Sequence, residues 1–295
     1  MKLTIGAVMM AFAISWPSVS FAQYTVTNLV TDSGAASTVQ DPHLVNAWGL
    51  VSTTKSPFWV SDNATGFSTL YSISNAGGVV TATMVKTLVV TVPGLSGAVG
   101  SPTGIVAPET PKGGTDFLIN GTPAAFIFAT LDGTISGFTG AATATIVVNR
   151  SRFGATYSGL AIATNNGNKM LYAADDGPNR RIDVFNSAFQ LVDLGPDAFV
   201  DPNIPQKFAP YGIQTITAAD GSQTIWVTYT ALDKAQSGFV AAFTPAGVLL
   251  SHVALNGPFH SPWGVALAPA DFGPMSNAIL ITNNIARGRI NAFDP

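Results

Sequence analysis

The amino-acid sequence predicts an all-β fold, a β-propeller of four-stranded blades, and three observations carry that expectation. A two-residue signature recurs five times at nearly constant spacing, Val-, Ile- and Thr-rich runs follow each copy, and no stretch sustains a 3.6-residue period. In the signature an aromatic or small residue precedes glycine: Trp48-Gly49, Thr103-Gly104, Ser158-Gly159, Tyr211-Gly212 and Trp263-Gly264. Successive glycines lie 55, 55, 53 and 52 residues apart.

Each signature opens the first strand of a unit. The glycine lets innermost strands crowd at the axis, where a side chain would clash. A second strand follows: FWVSDN from Phe58, FIFATLDG from Phe126, MLYAADDG from Met170, TIWVTYT from Thr224 and AILITNN from Ala278. The third strand ends in an aromatic, namely Tyr71, Phe138, Phe185, Phe243 or Phe293, which fills the core. More variable fourth runs come next, such as MVKTLVVTV from Met84 and TATIVVN from Thr143. One such sheet cannot bury both faces alone, so blades stack radially and each covers the next. The last unit stops after its third strand, and Tyr24–Val30 (YTVTNLV) is expected to close the ring as the missing fourth, hiding the exposed edge.

Two segments are expected: a signal peptide over residues 1–22 and a propeller over 23–295. Lys2 is a basic start, Leu3 to Trp16 is apolar and uncharged, Pro17 breaks the run, and Ser20-Phe21-Ala22 is a small-x-small cleavage site. The expected location is therefore secreted, periplasmic or extracellular. No later run is long enough to span a bilayer.

Composition narrows the chemistry. The net charge of −3 gives nucleic acid no basic face. With no cysteine, disulfides, thiol catalysis and iron–sulfur ligation are excluded. Only 10% of residues are charged, and Glu109 is the single glutamate beside three histidines, His43, His252 and His260. There is no G-x-S-x-G nucleophile elbow. Asn-x-Ser/Thr sites at Asn63, Asn120 and Asn149 matter only in a eukaryotic secretory host.

The blocks DPHLVNAWGL, PFWVSDNATGFSTLY, FIFATLDGTISGF, YAADDGPNRRIDVF, SPWGVALAPADFGPMSNAILITNN and RINAFDP resemble a family of uncharacterised exported bacterial and fungal proteins related to NHL-type (NHL-like) propellers, some with a PEP-CTERM sorting signal. The resemblance spans nearly the whole of residues 23–295 and implies fold and export, not chemistry. Family members usually continue past the FDP block through another WG unit, which implies six blades where five repeats are visible here. His43 stands where the family more often has Asn, and Ile285-Ala286-Arg287 replaces its usual acidic residue.

In a propeller, loops entering first strands share a rim with the ends of second strands. That places Asp41, His43, Asn46, Asp201, Tyr211, His260 and Trp263 together with Asp62, Asn63, Asp132, Asp175, Asp176, Asp233, Asn283 and Asn284. A ligand site at the channel rim is expected from His43, Asn46, Tyr211, His260 and Trp263, for a small molecule, a glycan or a protein. Asp62, Asp132, Asp175 and Asn283 offer the hard oxygens that Ca²⁺ takes. Against that, Asp and Asn cap turns by bonding their own backbone, and Glu109 falls at the opposite face. Two functions follow: a non-catalytic binding or scaffold propeller, and, as the alternative, a Ca²⁺-dependent lactonase- or esterase-like hydrolase that would polarise a carbonyl.

Overall fold

Among the described residues the β-branched and aromatic runs form five antiparallel blade sheets around a central channel, with two further two-stranded pairings, Val30–Thr31 with Val39–Gln40 and Leu118–Ile119 with Thr122–Pro123. The computed structural model describes residues 24, 26–34, 39–111, 113–231, 237–253, 259–285 and 288–294. The expected signal peptide, Asp233, and Ala286 and Arg287 lie outside them.

Blade one comprises Ala47–Val51, Phe58–Asp62, Phe67–Ala76 and Val79–Met84. Blade two comprises Pro102–Val106, Phe126–Thr130, Thr134–Phe138 and Thr145–Asn149. Blade three is Tyr157–Asn165, Asn168–Asp175, Arg181–Asn186 and Leu191–Val192. Blade four is Phe208–Thr217, Gln223–Ala231, Gly238–Phe243 and Leu249–His252. Blade five has three strands among the described residues, Pro262–Leu267, Ile279–Asn283 and Arg289–Phe293.

The signature glycines sit at the seams. A Cβ on Gly49 would lie 2.5 Å from the Thr103 carbonyl oxygen, on Gly104 2.2 Å from Leu160 N, on Gly159 3.1 Å from Ile213 N, and on Gly212 1.9 Å from the Trp263 carbonyl oxygen. Each glycine thus admits the inner strand of the next blade. Gly264 differs, for its Cβ would meet only Thr282 of its own blade. Four hydrophobic clusters fill the seams. Trp59 and Phe128 join blades one and two, Phe117 and Leu171 blades two and three, Tyr172 and Phe243 blades three and four, and Trp226 and Ile281 blades four and five. No comparable cluster joins blades five and one among the described residues.

Two expectations about strands need correction. The fourth run of blade one is not one strand: Val79–Met84 pairs with the far half of Phe67–Ala76, and Val90–Thr91 pairs with its start, Phe67 and Ser68. Among the described residues the N-terminal segment does not complete blade five. Its extended pair, Val30–Thr31, runs parallel to Val39–Gln40, and Arg289–Phe293 pairs with Ile279–Asn283. Tyr24 instead stacks on Phe272 at 4.8 Å and donates its hydroxyl to the Phe272 carbonyl at 2.9 Å, which holds the segment beside the loop after blade five's first strand.

Candidate functional site

One end of the channel is lined by Asn46, Ala47, Trp48, Tyr211, Trp263, Thr282, Asn283 and Asn284 around a cavity of about 220 Å³. These residues come from the start of the first strands of blades one, four and five and from the end of blade five's second strand, so the shared rim expected from sequence exists. At the signature position blades one, four and five carry rings and blades two and three carry hydroxyls. Thr103 Oγ1 donates to the Tyr157 carbonyl and Ser158 Oγ to the Tyr211 carbonyl, both at 2.7 Å. Small residues on those two blades leave the width that three rings occupy. Trp48 meets Tyr211 edge-on at 5.8 Å and Trp263 at 5.5 Å. Trp263 Nε1–H donates across the channel to the Ser158 carbonyl at 2.9 Å, tying blade five to blade three.

Amides surround the rings. Asn46 Nδ2 donates to Asn63 Oδ1 at 3.1 Å, and Asn63 Nδ2 donates to the Pro102 carbonyl at 3.1 Å. That buried Asn63 amide spans a seam and is no surface glycosylation site. Asn284 Nδ2 approaches the Tyr211 hydroxyl at 3.3 Å. Burial raises the Tyr211 pKa, the Asn284 bond works against that, and the Asp176 carboxylate adds to the rise. Asp176 itself is pushed up to about 6, first by burial and then by the neighbouring Asp175.

Of the residues expected at the ligand site, Asn46, Tyr211 and Trp263 line this mouth. His43 turns back on its own loop, where its backbone N–H and ring Nδ1 reach Asp41 Oδ1 at 2.9 and 3.0 Å. The His260 backbone N–H donates to Asn283 Oδ1 at 3.1 Å, and its Nδ1 is buried without a hydrogen-bond partner among the described residues. Trp48 was not singled out from sequence as a site residue, although it occupies the same signature position as Trp263.

The carboxylates expected to hold Ca²⁺ serve separate turns. Asp132 accepts from the hydroxyls of Thr130 and Thr134 and from Leu95 N–H. Asp175 accepts from Thr156 N–H, Gly177 N–H and Asn179 Nδ2. Asp62 is fully buried, both its oxygens lack a hydrogen bond among the described residues, and it is raised to about 7, by burial above all, with Thr69 opposing and Asp41 reinforcing the rise. No three His, Asp or Glu side chains converge on one point among the described residues. The carboxylates thus sit in separate turns, whereas a calcium cage needs six to eight converging oxygens. Glu109 lines the other end of the channel, beside Leu50, Ile105 and Gln214.

Five stacked blades around a channel define the class: the protein is a β-propeller. No family model matches the chain. Two uncharacterised proteins of Acanthamoeba polyphaga mimivirus are similar to it, one 30% identical over 184 residues and the other 32% identical over 161, covering 57% and 50% of this chain. The chain spans 32% and 40% of those relatives' own lengths. Among solved structures, a catalytically inactive virginiamycin B lyase from Staphylococcus aureus with quinupristin aligns over 85% of this chain and 70% of its own, with a TM-score of 0.48 at 14% identity. A protein from Lactobacillus plantarum aligns over 83% and 66%, with a TM-score of 0.47 at 13% identity. No helix among the described residues is long and apolar enough to cross a membrane.

Proposed function

We propose that this is an exported, non-catalytic binding propeller that captures the end of a neutral glycan at the channel mouth. The observation behind this reading is the lining itself: Trp48, Tyr211 and Trp263 beside the amides of Asn46 and Asn284. A sugar ring is amphipathic. Its C–H face is weakly positive and suits the negative face of an aromatic ring, while its hydroxyls both donate and accept as amides do. Few titratable groups border the mouth, which favours recognition over acid–base chemistry. Export rests on the charge, apolar run and small-x-small site of residues 1–22. The lactonase- or esterase-like alternative requires Ca²⁺ and has only the dispersed carboxylates in its favour.

Tryptophan fluorescence tests the proposal directly, because Trp48 and Trp263 are half-buried at the mouth while Trp59 and Trp226 are buried in seams. Titration with glucose, galactose, N-acetylglucosamine and their β-1,4-linked disaccharides should give a saturable change for at least one sugar. Trp48→Ala should weaken that binding by about tenfold or more, as loss of an aromatic anchor does. A flat response to every sugar, or a response that survives Trp48→Ala unchanged, would refute glycan capture at the mouth.

A further inference from the structure

Three Asp–Tyr neighbourhoods are buried in this ring, and they are not alike. In blade one the Tyr71 hydroxyl donates to Asp41 Oδ2 at 2.8 Å. In blade three the Tyr157 hydroxyl donates to Asp183 Oδ2 at 2.8 Å. In blade four Asp201 and Tyr229 are both 6% exposed, yet Asp201 Oδ2 and the Tyr229 hydroxyl have no hydrogen-bond partner among the described residues. Buried polar atoms of this kind are costly unless something satisfies them.

Both residues line one cavity of about 270 Å³ between blades three and four, with Phe199, Ile204, Pro205 and Phe208 as apolar walls and Arg180 at its edge. It adjoins a cleft of about 490 Å³ that shares Arg180, Phe199 and Val200. Two of the shared residues, Arg180 and Phe199, adopt left-handed backbone conformations, with φ of 51° and 59°. Non-glycine residues hold that conformation at a cost and concentrate at ligand sites. The surrounding structure enforces both: Arg180 Nη1 donates to the Gln206 carbonyl at 2.7 Å and Phe199 N–H to the Gly247 carbonyl at 2.8 Å.

We infer that this cavity is a second binding site, distinct from the channel mouth, for a small neutral and largely apolar molecule bearing one hydroxyl, such as a phenol. The ligand hydroxyl donates to Asp201 Oδ2 and accepts from the Tyr229 hydroxyl, while the ring packs on Phe199, Ile204 and Phe208. Donor and acceptor roles are fixed by the chain. Asp201 Oδ1 already takes the backbone N–H and Nδ2 of Asn203, at 2.9 and 3.0 Å, which leaves Oδ2 for the ligand. Burial and the Asp201 charge both raise the Tyr229 pKa, so its hydroxyl keeps the proton it donates. A neutral ligand is favoured over a cation because His252 already faces the carboxylate and Arg180 lines the same cavity. His252 Nδ1 lies 3.8 Å from Asp201 Oδ2, too far for a hydrogen bond.

Fluorine NMR of 4-fluorophenol with the full chain tests this, with 4-fluoroanisole as the ether that cannot donate. Wild type should broaden the phenol signal saturably and bind the ether about tenfold more weakly, the loss of one buried hydrogen bond. Tyr229→Phe and Asp201→Asn should each weaken phenol binding to a similar degree, and Trp48→Ala should leave it unchanged. Tyr229→Phe removes an unbonded buried hydroxyl, so its melting temperature should stay at the wild-type value and keep the test valid. The site is overturned if wild type gives no saturable broadening, if Tyr229→Phe binds phenol as wild type does, or if Trp48→Ala abolishes binding. The first of these would mean that ordered water satisfies the pair, and the last would move the phenol to the channel mouth.

Discussion

Blades two to four have a neighbour on each face, whereas blades one and five meet one neighbour each through a packed seam. The difference is visible along the strands. Every residue of blade two's first three strands is buried. In blade one Leu50 is 62% exposed, and in blade five Ile290 is 68% exposed. The same alternating sequence pattern therefore yields a core strand or a half-wet one, depending on whether a second sheet covers it. Propeller stability is a property of seams, as expected for stacked units that sense mainly their neighbours.

Glycine substitutions sharpen this contrast most strongly. Gly212→Ala drives a methyl into the Trp263 carbonyl, and the expected loss is about 3 kcal/mol or more, beyond the usual range for overpacking. Chemical denaturation of the variant would reveal it as a collapsed midpoint, and a wild-type midpoint would show that the fourth seam is not tight.

The next effect is centred on blade one, where the rise in a carboxyl pKa exceeds that of Asp176 beside blade three. Asp62, buried in blade one, holds its proton up to about pH 7 against an ordinary value of 3.8. The folded state thus binds more protons than the unfolded chain between those values, and stability falls as pH rises through that window. The penalty is complete above pH 7 and amounts to a few kcal/mol, at about 1.36 kcal/mol per pKa unit. Asp62→Asn should therefore stabilise the protein at pH 8, leave it nearly unchanged near pH 4, and flatten the slope between. Melting temperatures across that range check all three, and an unaltered slope would remove Asp62 as its source.

Smaller still, Trp263→Phe should cost about 1 kcal/mol through loss of the bond to the Ser158 carbonyl. Gly264→Ala completes the series. Its methyl meets only the Thr282 side chain, with Oγ1 at 3.0 Å, and should cost less than about 1 kcal/mol. Equal losses for Gly264→Ala and Gly212→Ala in the same denaturation series would erase the contrast between packed and unpacked faces.

The five first strands and five second strands were legible because glycine spacing and apolar runs are local signals. So was the grouping of Asn46, Tyr211 and Trp263, since strand ends follow from the repeat. The broken outer strand of blade one was not, because Val79–Met84 and Val90–Thr91 read as runs of similar composition and only a short irregular link separates them, both running antiparallel to Phe67–Ala76. Nor was the placement of Tyr24, which depends on one ring, Phe272, 248 residues away. The Asp201–Tyr229 pair was hidden for a related reason. Asp41 and Asp201 share an Asp-Pro turn, and nothing in either turn tells which tyrosine will come within reach.

The bond from Trp263 to the Ser158 carbonyl has a mechanical consequence. A row of sheets joined only face to face can flex like a hinged strip. This bond skips blade four and acts as the string of a bow, setting the curvature of blades three to five independently of their seams. A molecule that pushed the Trp263 ring aside would slacken that string and loosen the tie between blades three and five.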